Sequence, residues 1–376
     1  MDLCPALLAR ELAAALSAGD RSIPLVFSLR YRNAERVLIA KDYEILTGEP
    51  LASAFSRLLP TPRAARLISD AWLPFDLYRA ILFERALATR DHRFQLASLT
   101  LTCSPADWEG ASRAYLERTR IDLGAALKRV CDQDSFLGRL CLSWIAFRRE
   151  PRGNIADDVT SLAVALGLTQ PSEPLAEETP GPNTTSGRSR SRRARSATRK
   201  PKSGTTTRKL ARQGYDCDAL LRLLGTLTSA EWGKVVIGFR VRYGQTPFEA
   251  AASTLPSEVL YAFQLAGYVL EDIVTGVAFL LRNCVERRCP DEFISLAALY
   301  GEKCNNLRLT YERFGDLRTD IAELFDVETA GVCRTVLQVR ESEEVRRAGL
   351  TARTSTTAST AVSSGIGRSG TSRFVV

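Results

Sequence analysis

Apolar residues recur at helical spacing along almost the whole chain, and no stretch alternates as a strand would. Leu7, Leu8, Leu12, Ala15 and Leu16 share one face of a first helix, which Gly19-Asp20 ends. Ser22 can cap a second helix over 23–31, and Asn33 a third that carries Val37, Leu38, Ile39 and Tyr43 up to Gly48. Leu51, Ala54, Phe55 and Leu58 mark a fourth. After the break at Pro60-Thr61-Pro62, Ala65, Leu67, Ile68 and Trp72 mark a fifth. Phe75 opens the same series again, with helices expected over 77–88, 94–101, 105–119, 123–130 and 136–147. A third series starts at Asn154 with Val159, Leu162, Ala163 and Leu166. It is interrupted, resumes at Tyr215 and continues in helices over 231–243, 247–254 and 259–265. The fourth begins at Tyr268-Val269-Leu270, with later helices near 292–299, 303–314, 317–325 and 330–339.

The series share spelling as well as rhythm. Ala114-Tyr115-Leu116-Glu117-Arg118 followed by Ile121-Asp122-Leu123 matches Thr310-Tyr311-Glu312-Arg313-Phe314-Gly315 followed by Leu317 and Asp320-Ile321. One such unit cannot bury its own apolar face, so the stacked set makes the fold. The expected architecture is all-α: four repeats of five helices over 1–74, 75–150, 151–267 and 268–340, then a tail over 341–376. The first two repeats are expected to form one module and the last two a second.

The interruption in the third repeat, residues 170–213, is rich in Pro, Ser, Thr, Gly and Arg and cannot fill a core, so it is expected to be disordered. It also carries the net charge of +8. Arg188, Arg190, Arg192, Arg193, Arg195, Arg199, Lys200, Lys202, Arg208, Lys209 and Arg212 face no acid between 187 and 212; without them 40 basic residues oppose 43 acidic ones. No apolar run approaches the ~18 residues of a membrane span, and Met1 to Ser22 lacks the layout of a signal peptide, which points to an intracellular protein. The nine cysteines are irregularly spaced and read as free thiols. Cys284 and Cys289 have the spacing of a metal pair but no partner pair, so they too read as thiols.

Four units of five helices, each about 70 residues long, resemble annexin repeats. The resemblance rests on Leu38–Phe55 with Tyr43 and Gly48, on Ser104–Val130, on Gly238–Ala251 with Tyr243-Gly244, and on Arg308–Ile321 with Tyr311 and Phe314-Gly315. The variant loops are more similar to protist annexins such as the alpha-giardins. The resemblance implies calcium-dependent binding to acidic phospholipid membranes. In the family, a loop between the first and second helices of form Gly-x-Gly-Thr offers carbonyl oxygens, and an acid about 40 residues later completes a hard-cation site. The present sequence departs from this in every repeat. Gly19-Asp20 keeps one glycine, and the matching distal position, Leu59-Pro60, holds no acid. Repeat two lacks the glycines, with Asp132 and Asp134 just beyond its distal position. Repeat four keeps Glu328 but has Arg287-Arg288 in its loop. Gly19, Asp20, Asp132, Asp134 and Glu328 are thus the candidates for a weak calcium site. The acids read equally as residues favourable to helix N-termini.

The basic segment falls in the corresponding loop of repeat three, which the resemblance turns toward the membrane. Its eleven cations are expected to bind acidic headgroups, each contributing about 1 kcal/mol close to the surface. The same charges would suit an acidic cytoskeletal surface such as tubulin's, or a nucleic acid, although no aromatic interleaves them for base stacking. Ser189, Ser191, Ser196 and Thr198 lie among them and could take phosphate. Nothing in the chain points to catalysis: the single histidine, His92, stands in a polar loop, and no glycine-rich phosphate loop follows a strand.

Overall fold

The computed structural model describes residues 4–88, 93–131, 135–168, 214–304 and 306–337, and among these every element is a helix. The first repeat comprises α1 (Pro5–Ser17), α2 (Ile23–Arg30), α3 (Asn33–Thr47), α4 (Leu51–Leu58) and α5 (Pro62–Ala71). The second comprises α6 (Phe75–Ala88), α7 (Arg93–Leu101), α8 (Pro105–Thr119), α9 (Leu123–Val130) and α10 (Phe136–Trp144). In the third are α11 (Ile155–Ala165), α12 (Cys217–Thr226), α13 (Ser229–Tyr243), α14 (Pro247–Thr254) and α15 (Ser257–Glu271). The fourth holds α16 (Ile273–Glu286), α17 (Pro290–Tyr300), α18 (Leu307–Tyr311), α19 (Leu317–Leu324) and α20 (Val327–Val336). The all-helical architecture of four five-helix repeats is the one the periodicity predicts.

Local chemistry sets the ends of these helices. Ser104 accepts from the N–H of Asp107 at 3.1 Å while Asp107 accepts from the N–H of Ser104 at 3.3 Å, and Thr228–Glu231 and Thr246–Glu249 form the same reciprocal cap. The third helix of each of the first three repeats ends on a left-handed residue: Gly48 (φ +74°), Arg120 (φ +61°) and Gly244 (φ +72°). Five residues before each stands a buried aromatic, Tyr43, Tyr115 or Phe239, which pins the last turn to the core. Nothing lies within 4 Å of a Cβ built on Gly244, so Gly244→Ala meets only backbone strain. It is expected to cost about 1–2 kcal/mol, read as a lower midpoint in urea with unchanged slope.

Three sequence expectations are corrected. Residues 268–271 complete α15, and the fourth repeat's first helix starts only after extended Asp272 (φ −167°). The helix expected over 303–314 shrinks to α18, because Tyr311 and Gly315 are drawn onto α19: the Tyr311 hydroxyl donates to Asp320 at 2.6 Å, and a Cβ on Gly315 would lie 3.0 Å from the same carboxylate. The lateral pairing also differs. α5 packs on α17 and α20, whereas α10 packs on α12 and α15, so repeat one partners repeat four and repeat two partners repeat three. Chain order favours neighbours. The apolar faces of the fifth helices, with Ala64, Ala65, Leu67 and Ile68 on α5, decide otherwise.

The seam between the two pairs is polar. Arg79, 1% exposed, donates to the Tyr300 hydroxyl at 3.1 Å and lies 3.6 Å from Asp107, which Lys303 meets at 2.8 Å. Burial pushes the Asp107 carboxyl up, but Arg79 and Lys303 outweigh it and hold it at about 2. A depressed carboxylate stabilises the fold above its ordinary pKa near 3.8, and that contribution is lost as pH falls toward 2. Urea midpoints between pH 5 and pH 2 should therefore fall more steeply for the native chain than for Asp107→Asn.

Candidate functional site

The ends of the first-to-second-helix connections of repeats two and four come together around one cavity. The carboxyl end of α6, the loop after α16 and the amino end of α17 surround a cavity of about 860 Å³, lined by Arg66, Arg85, Arg287, Arg288, Asp291 and Glu292 among others. A neighbouring cavity of about 660 Å³ shares Ala88 and adds Arg93 and Arg129. From α5, Arg66 reaches Asp291 at 3.2 Å and Ser295 at 3.3 Å. Arg287 meets Glu292 at 3.4 Å and lies over the Phe94 ring at 4.9 Å. Arg93 meets Glu258 at 3.2 Å. The side chains of Arg85, Arg129 and Arg288 make no hydrogen bond or ion pair among the described residues. Among the described residues, guanidinium groups are thus the only charged groups of the second cavity and outnumber the carboxylates of the first.

Among the described residues, the calcium candidates Gly19, Asp20 and Glu328 are not gathered into a cluster of metal ligands. Gly19 takes the left-handed conformation (φ +76°), but exposed Asp20 accepts from both the N–H of Ser22 at 2.9 Å and its hydroxyl at 2.7 Å, which lowers its pKa. At the distal position of that repeat, Thr61 instead caps Ala64 and meets the Thr329 hydroxyl at 2.8 Å. Glu328 is exposed in the first turn of α20, whose cap is Asp326, accepting from the Thr329 N–H at 2.9 Å. No group of three or more His, Cys, Asp or Glu able to hold a metal exists among the described residues. Asp132 and Asp134, His92 and all eleven cations of the insertion lie outside the described residues. Cys284 is a buried free cysteine.

The ends of the insertion are described, and they meet. A Cβ on Gly167 (φ +75°) would stand 2.1 Å from the carbonyl oxygen of Gly214, so the chain departs and rejoins at one closed stem. Side chains tie this stem to the arginine cavities. Asp218, at the start of α12, pairs with Arg139 of α10. The start of α10, Ser135 to Gly138, lines the cavity that holds Arg129. That cavity joins the Arg85–Arg288 cavity, and Arg66 leads along α5 to Thr61 and so to Thr329 beside Glu328. A relay of contacts thus links the insertion stem, both arginine cavities and the corner beside Glu328.

The sequence marks Arg287 and Arg288 only as a departure from the calcium loop, and it singles out none of Arg66, Arg85, Arg93 and Arg129. Arg85 and Arg129 sit in the last turns of α6 and α9, where a cation is ordinary for a helix. Only the packing of separate repeats shows them converging.

Comparison with known proteins agrees with the fold. A model of the fourth repeat of annexin E1 matches residues 277–337. Giardin subunit alpha-5 of Giardia intestinalis is 20% identical over 336 residues, covering 88% of this chain and 97% of its own length. Giardin subunit alpha-1 of the same organism is 22% identical over 336 residues, covering 89% and 98%. A calcium-bound alpha-1 giardin structure superposes with a TM-score of 0.70 at 20% identity, covering 90% of this chain and all of that one. Annexin III superposes at 0.64 with 14% identity, covering 89% and 94%. The fold is that of an annexin. Together the matches support a divergent annexin of the alpha-giardin kind.

Proposed function

We propose that this protein binds acidic phospholipid surfaces peripherally, with arginines largely replacing the bridging calcium ion. The observation that carries this reading is the convergence of Arg85, Arg129 and Arg288, without ion-pair partners among the described residues, on two adjoining cavities that contacts link to the insertion stem. Two matched relatives are described as calcium-bound, yet the donors present here suit that ion poorly: Asp20 is committed to Ser22, and the fourth repeat's loop offers guanidiniums. Calcium is accordingly given at most a minor role. The eleven cations of residues 187–212 would add further attraction to an acidic surface. No helix among the described residues is long and apolar enough to cross a membrane, in keeping with surface attachment.

Sedimentation with phosphatidylserine vesicles in a calcium chelator tests the proposal. The full chain is expected to pellet with these vesicles and not with phosphatidylcholine alone, and deletion of 187–212 is expected to reduce the pelleted fraction. Indifference to lipid charge would defeat it. Pelleting with microtubules but not with vesicles would move the same cations to a cytoskeletal scaffold; a steep salt dependence on RNA without lipid preference would move them to nucleic acid.

A further inference from the structure

A third cavity, of about 550 Å³, is lined by seam residues Asp107, Tyr300 and Lys303. Helices α16 and α17 both run between it and the 860 Å³ arginine cavity: Ile273 at the start of α16 lines this cavity, while Arg287 just past its end lines the arginine mouth. The 14 residues of α16 separate them by about 20 Å. The wall here is largely apolar, including Leu101, Trp144, Phe147, Val269, Ile273 and Tyr300. Two cations also line it, and they differ. Lys303 is paired with Asp107 at 2.8 Å. Arg149 is not paired. Its guanidinium lies 3.8 Å from the centroid of the Trp144 ring, and its Nε and Nη2 are buried without a hydrogen-bond partner. Burial alone accounts for the fall of its pKa to about 10, with no carboxylate near enough to oppose it.

A half-buried guanidinium without a counter-ion is costly unless something anionic completes it. The stacking on Trp144 holds the group in place but supplies no charge. We propose that this cavity binds a small amphiphile with one oxyanion head, a carboxylate or a phosphate monoester, the head pairing with Arg149 and the apolar body lying against the aromatic and aliphatic wall. The cavity has the size and lining of a small-molecule site. The proposal is independent of lipid-surface binding, which uses the opposite end of α16.

Calorimetric titration of the full chain with octanoate, octyl phosphate and 1-octanol tests it, all below their micelle or solubility limits. At least one acid is expected to bind tenfold or more tightly than the alcohol, and octanoate against octyl phosphate decides which head is taken. Arg149→Gln should erase the difference between acid and alcohol while leaving the melting temperature unchanged or higher, since it removes an uncompensated charge. Ile273→Asp places a carboxylate at the lining from a partly exposed helix start, where an acid is tolerated. It should weaken the acid at least tenfold more than it weakens the alcohol, and it decides the matter if Arg149→Gln does not fold. Equal affinity for acid and alcohol in the native chain overturns the proposal, as does unchanged acid binding in folded Arg149→Gln or in Ile273→Asp.

Discussion

Replacing Arg85, Arg129 and Arg288 together by glutamine is expected to weaken binding to phosphatidylserine vesicles about 100-fold at low salt. Each cation held near an anionic surface contributes about 1 kcal/mol, and a factor of ten in affinity corresponds to about 1.4 kcal/mol. These three are chosen because no ion pair within the described structure already spends their charge, unlike Arg66, Arg93 and Arg287. All three sit at helix ends or in a loop, so the fold should survive. The same positions changed to lysine should keep most of the affinity if attraction is through charge, and lose it if planar bidentate contacts with phosphate are needed. Vesicle binding that falls less than threefold in the glutamine variant would remove these arginines from the account.

The second large effect concerns stability. Trp232 is fully buried in the third repeat, edge-on to Phe248 and Phe263 at centroid distances of 6.1 and 6.2 Å, and close enough to Gly267 that a Cβ there would lie 3.0 Å from the indole. Trp232→Ala should cost about 3–5 kcal/mol, because so tight a neighbourhood cannot collapse onto the void. Trp232→Phe should cost far less than Trp232→Ala. The indole N–H has no hydrogen-bond partner, so phenylalanine removes an unsatisfied donor along with some packing. Urea denaturation of the two variants checks the ordering. A phenylalanine variant as unstable as the alanine one would mean that the indole N–H is satisfied in solution.

How far this fold could be read in advance depended on the range of the interaction. Caps and left-handed closures are local: Thr228 with Glu231 and Tyr243-Gly244 announce the ends of α13 in the sequence itself. The junction at Asp272 was misplaced by a few residues because Tyr268 to Leu270 are as apolar as a helix start, and their burial belongs to α15. α18 was read too long because the pull of Asp320 on Tyr311 acts across a turn and leaves no periodic trace. The pairing of repeat one with repeat four is a property of helix faces brought together over more than 200 residues, as in the contact of Arg66 with Asp291. The candidate site suffered most from this. Its arginines come from α5, α6, α9 and the loop after α16, each unremarked in its own helix, and only Arg287-Arg288 stood out as a departure from the expected loop.

The central claim is that arginine, and not calcium, carries attachment to acidic lipid. Affinity for phosphatidylserine vesicles, measured with chelator and with calcium across a series of salt concentrations, addresses it most directly. The account predicts nearly equal affinity with and without calcium and a steep decline as salt shortens the screening length from about 10 Å at 0.1 M toward 3 Å at 1 M. Binding that requires calcium and resists salt would contradict it.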